Sequence, residues 1–174
     1  MQPDFEIKED IIQQCQHGDI NAFKQIYVQF ERPLLRIALR MLGQKQDAED
    51  AVQMTFIKLY HGIKKFNYKS KFSTYLYRIL VNVCYDNLNK KKKMKLVEID
   101  NLNQTYHPED DLKLQLEEAI LALPERMRAC FVLFAVEELK QTQIADILKL
   151  SVGAVKSNIF HAKTKLRTML SGNL

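Results

Sequence analysis

From Ile11 to about Lys93 apolar residues recur at intervals of three and four, with very little to interrupt them. That spacing stacks them on one side of successive α-helices, whereas a half-buried strand needs alternation. In all 174 residues there are 5 glycines and 4 prolines. A turn-rich β fold uses more of both, so the expected fold class is all-α.

Ala22, Phe23, Ile26, Tyr27 and Phe30 make the first clear stripe. Pro33 interrupts it and suits the first turn of a following helix, which runs through Leu42 and is capped by Gly43. The next helix starts near Asp47 and ends at Gly62, with Ala48, Ala51, Val52, Thr55, Phe56 and Leu59 along its inner side. Phe66–Lys71 (FNYKSK) reads as a loop. Ser73 or Thr74 offers an N-cap to a helix that continues through Leu76, Leu80 and Cys84 into the run Lys90–Lys93. From about Met94 to Asp111 the periodicity fails, and an extended linker is expected. Beyond it, Leu116, Ala119, Ile120 and Leu123 form a helix stopped by Pro124, and Met127, Cys130, Phe131, Leu133 and Phe134 form another. The chain thus divides into a helical domain over 1–93, a linker over 94–111 and a second small helical domain over 112–174.

Gln141–Leu166 carries the most specific pattern. Thr142 can cap a short helix whose inner side is Ile144, Ala145, Ile147 and Leu148. Ala145 is small where two helices must approach, Leu150 can plug the turn, and Ser151 can cap the next helix. Val155, Ile159, Ala162 and Leu166 line the inner stripe of that helix. Its opposite side carries Lys156, Ser157, Phe160, His161 and Lys163. Cations find phosphates, hydroxyls reach base edges and an aromatic can touch a thymine methyl, so the segment reads as a DNA-binding helix-turn-helix. Phe160 alone is ambiguous, since it could also pack on a neighbour.

The first domain adds two constellations. Beside its inner stripe, the helix from Asp47 presents Asp50, Gln53, Met54 and Ile57. These form a protein-docking face, unless Met54 and Ile57 belong to a broad core face. Phe66, Tyr68, Lys69, Lys71 and Phe72 lie close together, and Tyr75, Arg78, Asn82 and Asp86 recur along one side of the next helix. Aromatics stack on unpaired bases, cations hold the backbone and amides read base edges, which suits single-stranded DNA. The alternative is an aromatic core patch. Lys90–Lys93 is either a solvated helix end or a phosphate clamp beside that strand.

The formal net charge of +5 favours polyanionic partners modestly. Cys15, Cys84 and Cys130 are scattered and odd in number, which suits a reducing cytosol rather than a disulfide or zinc framework. Met1–Asp10 is acidic and has no signal-peptide core, and no apolar run approaches membrane-spanning length, so a cytoplasmic protein is expected. No nucleophile–base pair, metal-spaced cluster or glycine-rich phosphate loop is present. No catalytic residue, metal, cofactor or small-molecule substrate is therefore expected.

DAEDAVQMTF (Asp47–Phe56) and FSTYLYRILVN (Phe72–Asn82) resemble region 2 of extracytoplasmic-function (ECF) sigma factors. LPERMRACFVL (Leu123–Leu133), followed by the helix-turn-helix, resembles region 4. The resemblance covers nearly the whole chain in the family's order. It implies that the helix bearing Asp47, Asp50, Gln53, Met54, Phe56 and Ile57 docks on the clamp coiled coil of the β′ subunit of core RNA polymerase, the β flap being a second contact. It implies that Phe66, Tyr68, Lys69, Phe72, Tyr75, Arg78 and Asn82 capture the minus-ten element as single strand. Lys156, Ser157, Phe160, His161 and Lys163 would read the minus-thirty-five duplex. The acidic linker (Glu98, Asp100, Glu109, Asp110, Asp111) would thread into the polymerase channels. An anti-sigma factor, soluble or membrane-bound, is the implied regulator. Met54, Tyr75, Asn158 and His161 depart from the family's usual residues. The competing reading is a helix-turn-helix regulator that binds duplex DNA as a dimer, which leaves the aromatic loop without a task.

Overall fold

The computed structural model describes residues 7–97 and 112–171. Among them are eight α-helices and one 3-10 turn, and no strand. The helices are α1 (Glu9–Gln16), α2 (Ile20–Leu42), α3 (Lys45–Gly62), α4 (Phe72–Val97), α5 (Leu112–Leu121), α6 (Glu125–Ala135), α7 (Gln141–Leu148) and α8 (Val152–Ser171), with the 3-10 turn at Ile63–Lys65 between α3 and α4. The expected all-α class is found, and the acidic linker residues lie outside the described residues.

Local chemistry explains most of the boundaries. Asp19 caps α2, its carboxylate accepting from the amides of Asn21 at 2.7 Å and Ala22 at 3.2 Å. Gly43 ends that helix at φ 80°, donating its N–H to the Leu39 carbonyl at 2.8 Å. Ser151 caps α8 through the Ala154 amide at 3.1 Å. Lys149 takes the left-handed conformation (φ 54°) that turns the chain between α7 and α8.

Three local expectations need correction. Pro33 does not start a helix but sits inside α2. Phe30, Leu34, Ile37 and Met41 continue one fully buried stripe across it. At about 1.5–3 kcal/mol for each large side chain buried, that stripe outweighs the roughly 3 kcal/mol a helix-interior proline costs. α4 begins at Phe72, so Ser73 and Thr74 lie in its first turn, and Thr74 is buried. α7 begins at Gln141, with the Gln143 side chain accepting from the Lys140 amide at 2.9 Å, so Thr142 is not the cap.

α1–α4 form a bundle around Ile26, Phe30, Leu34, Leu59, Leu76 and Leu80, and α5–α8 enclose Leu123, Cys130, Leu133, Ile144 and Val155. The two halves pack on each other, α2 against α5 and α6 and α4 against α7, and their buried residues form one core. Polar contacts cross this boundary. Arg36 grips Glu137 with two bonds of 3.0 Å each. Arg128 donates to the Met41 carbonyl at 2.6 Å, Arg40 to Glu117 at 2.8 Å, and Lys92 pairs with Glu125 at 2.7 Å. Glu137 is only 3% exposed. Burial pushes its carboxyl above the usual range, and the Arg36 bonds act against that rise.

Candidate nucleic-acid and polymerase interfaces

α8 is amphipathic in the simplest way. Val155, Ile159, Ala162 and Leu166 are buried, and Lys156, Ser157, Phe160, His161 and Lys163 face outward. Phe160 is 67% exposed, so it does not pack into a neighbour. Its ring lies 5.6 Å from that of His161. Lys163 is less free than its neighbours, because its ammonium sits 4.8 Å from the Phe134 ring centre. Asn158 turns back to the Ala154 carbonyl at 2.8 Å.

The aromatic loop divides between the two readings offered for it. Phe66 and Phe72 are core residues, their rings 5.5 Å apart and nearly perpendicular. Tyr68 is exposed, its ring 5.0 Å from Phe66, and Tyr75 is half-buried at 5.1 Å from the same ring. The buried pair thus forms a floor on which the two tyrosines stand. Burial raises the phenol pKa of Tyr68 and Tyr75, which keeps both as neutral hydrogen-bonding rings. Tyr68 has φ 59°, a conformation costing a residue with a Cβ about 1–2 kcal/mol. Asn67 steadies the turn by accepting from the Lys69 amide at 3.3 Å.

Lys65, Lys69, Lys71, Tyr75 and Arg78 line an open cleft of about 560 Å³ beside this loop. α7 supplies part of its wall through Gln143 and Asp146. Arg78 donates to the Asp146 carbonyl at 2.7 Å, while its Nε is shielded and has no hydrogen-bond partner. Asn82 is exposed one turn further along α4. In the run Lys90–Lys93 two lysines take a role that neither reading gave them, pairing with carboxylates of the protein itself. Lys91 bonds Asp47 and Lys92 bonds Glu125, whereas Lys90 and Lys93 are exposed.

On α3, Phe56 is buried, but Asp50, Gln53, Met54 and Ile57 stand outward. Exposures of 44% for Met54 and 50% for Ile57 exclude a core role for both. Asp47, at the head of that stripe, is held by Lys91. The apolar surface extends further than the sequence suggested. Phe23 and Tyr27 of α2 and Tyr60 of α3 join Gln53 and Ile57 around one groove. Tyr60 falls three residues after Ile57 and could have been found from helical spacing. Tyr27 could not, because its spacing matches the inner stripe of α2.

The three thiols offer no chemistry. Each is buried, and burial raises Cys15 and Cys130 to about 11 and Cys84 to about 12. Among the described residues no cluster of histidine, cysteine and carboxylate is placed to hold a metal, and no helix is long and apolar enough to cross a membrane.

A helix-turn-helix with an exposed basic and aromatic face, packed on a bundle with its own aromatic and basic cleft, defines a two-domain helical DNA-binding protein. The Sigma-70 region 2 family matches residues 26–94, and the Sigma-70, region 4 family matches residues 113–166. The ECF RNA polymerase sigma factor SigW of Bacillus subtilis is 33% identical across 91% of this chain and 94% of its own length. The RNA polymerase sigma-H factor of Pseudomonas aeruginosa is 28% identical over 89% of both. The same fold is found in CnrH, solved with the cytosolic domain of CnrY, at TM-score 0.75 and 24% identity over 95% of this chain and 97% of that one. This chain belongs to the ECF family of RNA polymerase sigma factors, and its function is that of a sigma factor in transcription initiation. The dimeric-regulator alternative is not favoured.

Proposed function

We propose that the chain directs core RNA polymerase to promoters by dividing recognition between its two domains. Lys156, Ser157, Phe160 and His161 read the minus-thirty-five element as duplex, with Lys163 at the edge of the contact. Tyr68, Lys69, Tyr75, Arg78 and Asn82 hold the minus-ten element once its bases leave the stack, over the floor made by Phe66 and Phe72. Unstacking costs about a few kcal/mol per base. Binding that exists only for the unstacked strand offsets this cost and favours the open state. The chain supplies binding alone, and bond formation belongs to the polymerase.

The α3 stripe of Asp50, Gln53, Met54 and Ile57 docks on the β′ clamp coiled coil, with Asp47 and Phe56 setting its edge and its base. The β flap is the expected contact of the second domain. Work with polymerase places the protein in the cytoplasm. An anti-sigma factor is the expected regulator, because the Bartonella quintana sigma factor RpoE, which shares this fold, was solved in complex with the anti-sigma factor NepR. The 1–93, 94–111 and 112–174 division corresponds to clamp and strand binding, linker, and duplex binding, corrected at its first boundary because α4 continues to Val97.

The observation that carries this reading is the exposed Phe160–His161 face and the basic cleft lined by Tyr75 standing on one chain. In vitro transcription from a genomic fragment library, with sigma-free core polymerase, tests it. Discrete transcripts sharing two spaced upstream elements are expected only when the protein is added. Footprints on duplex DNA by the protein alone, with no effect on core polymerase, would overturn it.

A further inference from the structure

We infer that Gln16 is a positioning residue for minus-ten recognition, fixing the shape of the Phe66–Lys71 loop from α1, which carries none of the residues proposed to touch DNA. The inference rests on the proposed role of that loop.

Gln16 is the last residue of α1, and its side chain crosses to a segment about fifty positions away. Its amide nitrogen donates to the Ile63 carbonyl at 3.0 Å and to the Phe66 carbonyl at 2.9 Å. Its amide oxygen accepts from the Tyr68 hydroxyl at 3.1 Å. Carbonyls only accept, so the amide has one workable orientation, with NH2 toward the backbone and oxygen toward Tyr68. Both donors and the acceptor are therefore spent on one loop.

The bonded groups are those that set the loop's path. The Ile63 carbonyl also receives the Phe66 amide at 3.0 Å, closing the 3-10 turn. Phe66 places the floor of the site, and Tyr68 is the residue in left-handed backbone. An aliphatic side chain at position 16 would leave the two carbonyls without this donor and release the Tyr68 ring. The loop would then sample several arrangements, only some of which keep Lys69 on the cleft wall and Tyr68 over the Phe66 ring. Preorganised geometry favours binding because ordering is not charged against affinity. Loss of Gln16 thus weakens strand capture and blurs its base preference, leaving polymerase docking and duplex binding alone.

The test uses Gln16→Met, close in shape and without hydrogen bonds, in the full chain with core polymerase and a promoter recovered from the library. The readouts are core affinity, duplex minus-thirty-five binding, and open-complex formation on the intact promoter and on promoters with substituted minus-ten bases. Gln16→Met is expected to keep the first two and to lower open-complex formation on the intact promoter about tenfold, as lost hydrogen bonds of ordinary net strength would. The ratio between intact and substituted promoters should shrink. Gln16→Leu, which removes the same three bonds with another neutral side chain, should shrink the ratio in the same way, and it decides the matter if Gln16→Met does not fold. Equal losses on intact and substituted promoters would reduce Gln16 to a stability role and overturn the inference. An unchanged ratio in both variants, while Asn82→Ala lowers it, would overturn the inference and leave the loop's proposed role standing. An unchanged ratio in Asn82→Ala and Lys69→Ala as well would overturn that role too.

Discussion

On α8 the side chains proposed for duplex readout stand on one uninterrupted helix, whereas those proposed for strand capture sit on a loop and a helix partly roofed by α7. The first surface needs only a buried stripe of Val155, Ile159, Ala162 and Leu166 beneath it. Substitutions on its outer face that keep the helix leave that stripe intact. The second surface is assembled from Gln16, the 63–71 segment and α4, and Asp146 of the other domain holds Arg78. Duplex readout is therefore built from local structure and strand capture from long-range contacts. The Asp146 carbonyl holds the Arg78 guanidinium at the cleft wall through one of its N–H groups and leaves others for a strand, so the position of Arg78, unlike that of the α8 side chains, depends on the packing of the two domains.

The largest expected effect comes from the pair that joins the domains. Arg36→Ala removes two hydrogen bonds from the buried Glu137 carboxylate, leaving Arg40 as the other positive charge acting on it, and should cost about 2–3 kcal/mol, read by urea unfolding at neutral pH. Arg36→Leu with Glu137→Leu removes both charges and should recover most of that loss. If Arg36→Ala is instead neutral, this pair does not hold the domains together.

The same pair sets a pH dependence. Burial holds the Glu137 carboxyl above its ordinary 4.5, so in the interval between that value and its folded value the native state binds more protons than the unfolded one. Its contribution to stability therefore falls as pH rises through that interval and levels off above it. The stability difference between the protein and Glu137→Gln, measured across a pH series, should show this slope; a flat difference would mean that Glu137 titrates normally.

Phe160→Ala sharpens the other side. It should weaken minus-thirty-five binding by the holoenzyme by about 1–3 kcal/mol while changing unfolding stability by less than about 0.5 kcal/mol. A large stability loss would show that α8 is not an independent reading face.

The smallest effect contrasts two residues in left-handed backbone. Lys149, exposed in the turn before α8, makes no side-chain bond among the described residues that would offset its strain, and Lys149→Gly should stabilise the protein by about 1 kcal/mol. Tyr68→Gly relieves a similar strain but gives up the Phe66 ring contact and the Gln16 bond. It should gain less, or lose, in the same thermal melts. Equal gains at both positions would mean that the loop contacts contribute nothing.

What the sequence determined by itself is whatever short-range interactions carry. The helical class, the ends of α2 and α8 at Gly43 and Ser151, the inner stripe of α8 and its outward Lys156–Lys163 face all follow from spacing and capping within a few residues. The exposed Met54 and Ile57 were legible as one of two readings, and their solvent exposure removed the core one. The tertiary structure alone decided that Pro33 stays inside a helix, that Phe66 and Phe72 form a floor while Tyr68 stands above it, and that Lys91 and Lys92 are bound to carboxylates. It alone brought Gln16 to Phe66 across 50 positions and Arg36 to Glu137 across 101. A hydrogen bond between such distant positions leaves no period in the chain, and a buried charge looks like any surface glutamate until its partner arrives. Helical periodicity records which face is buried, but not which distant side chain it is buried against.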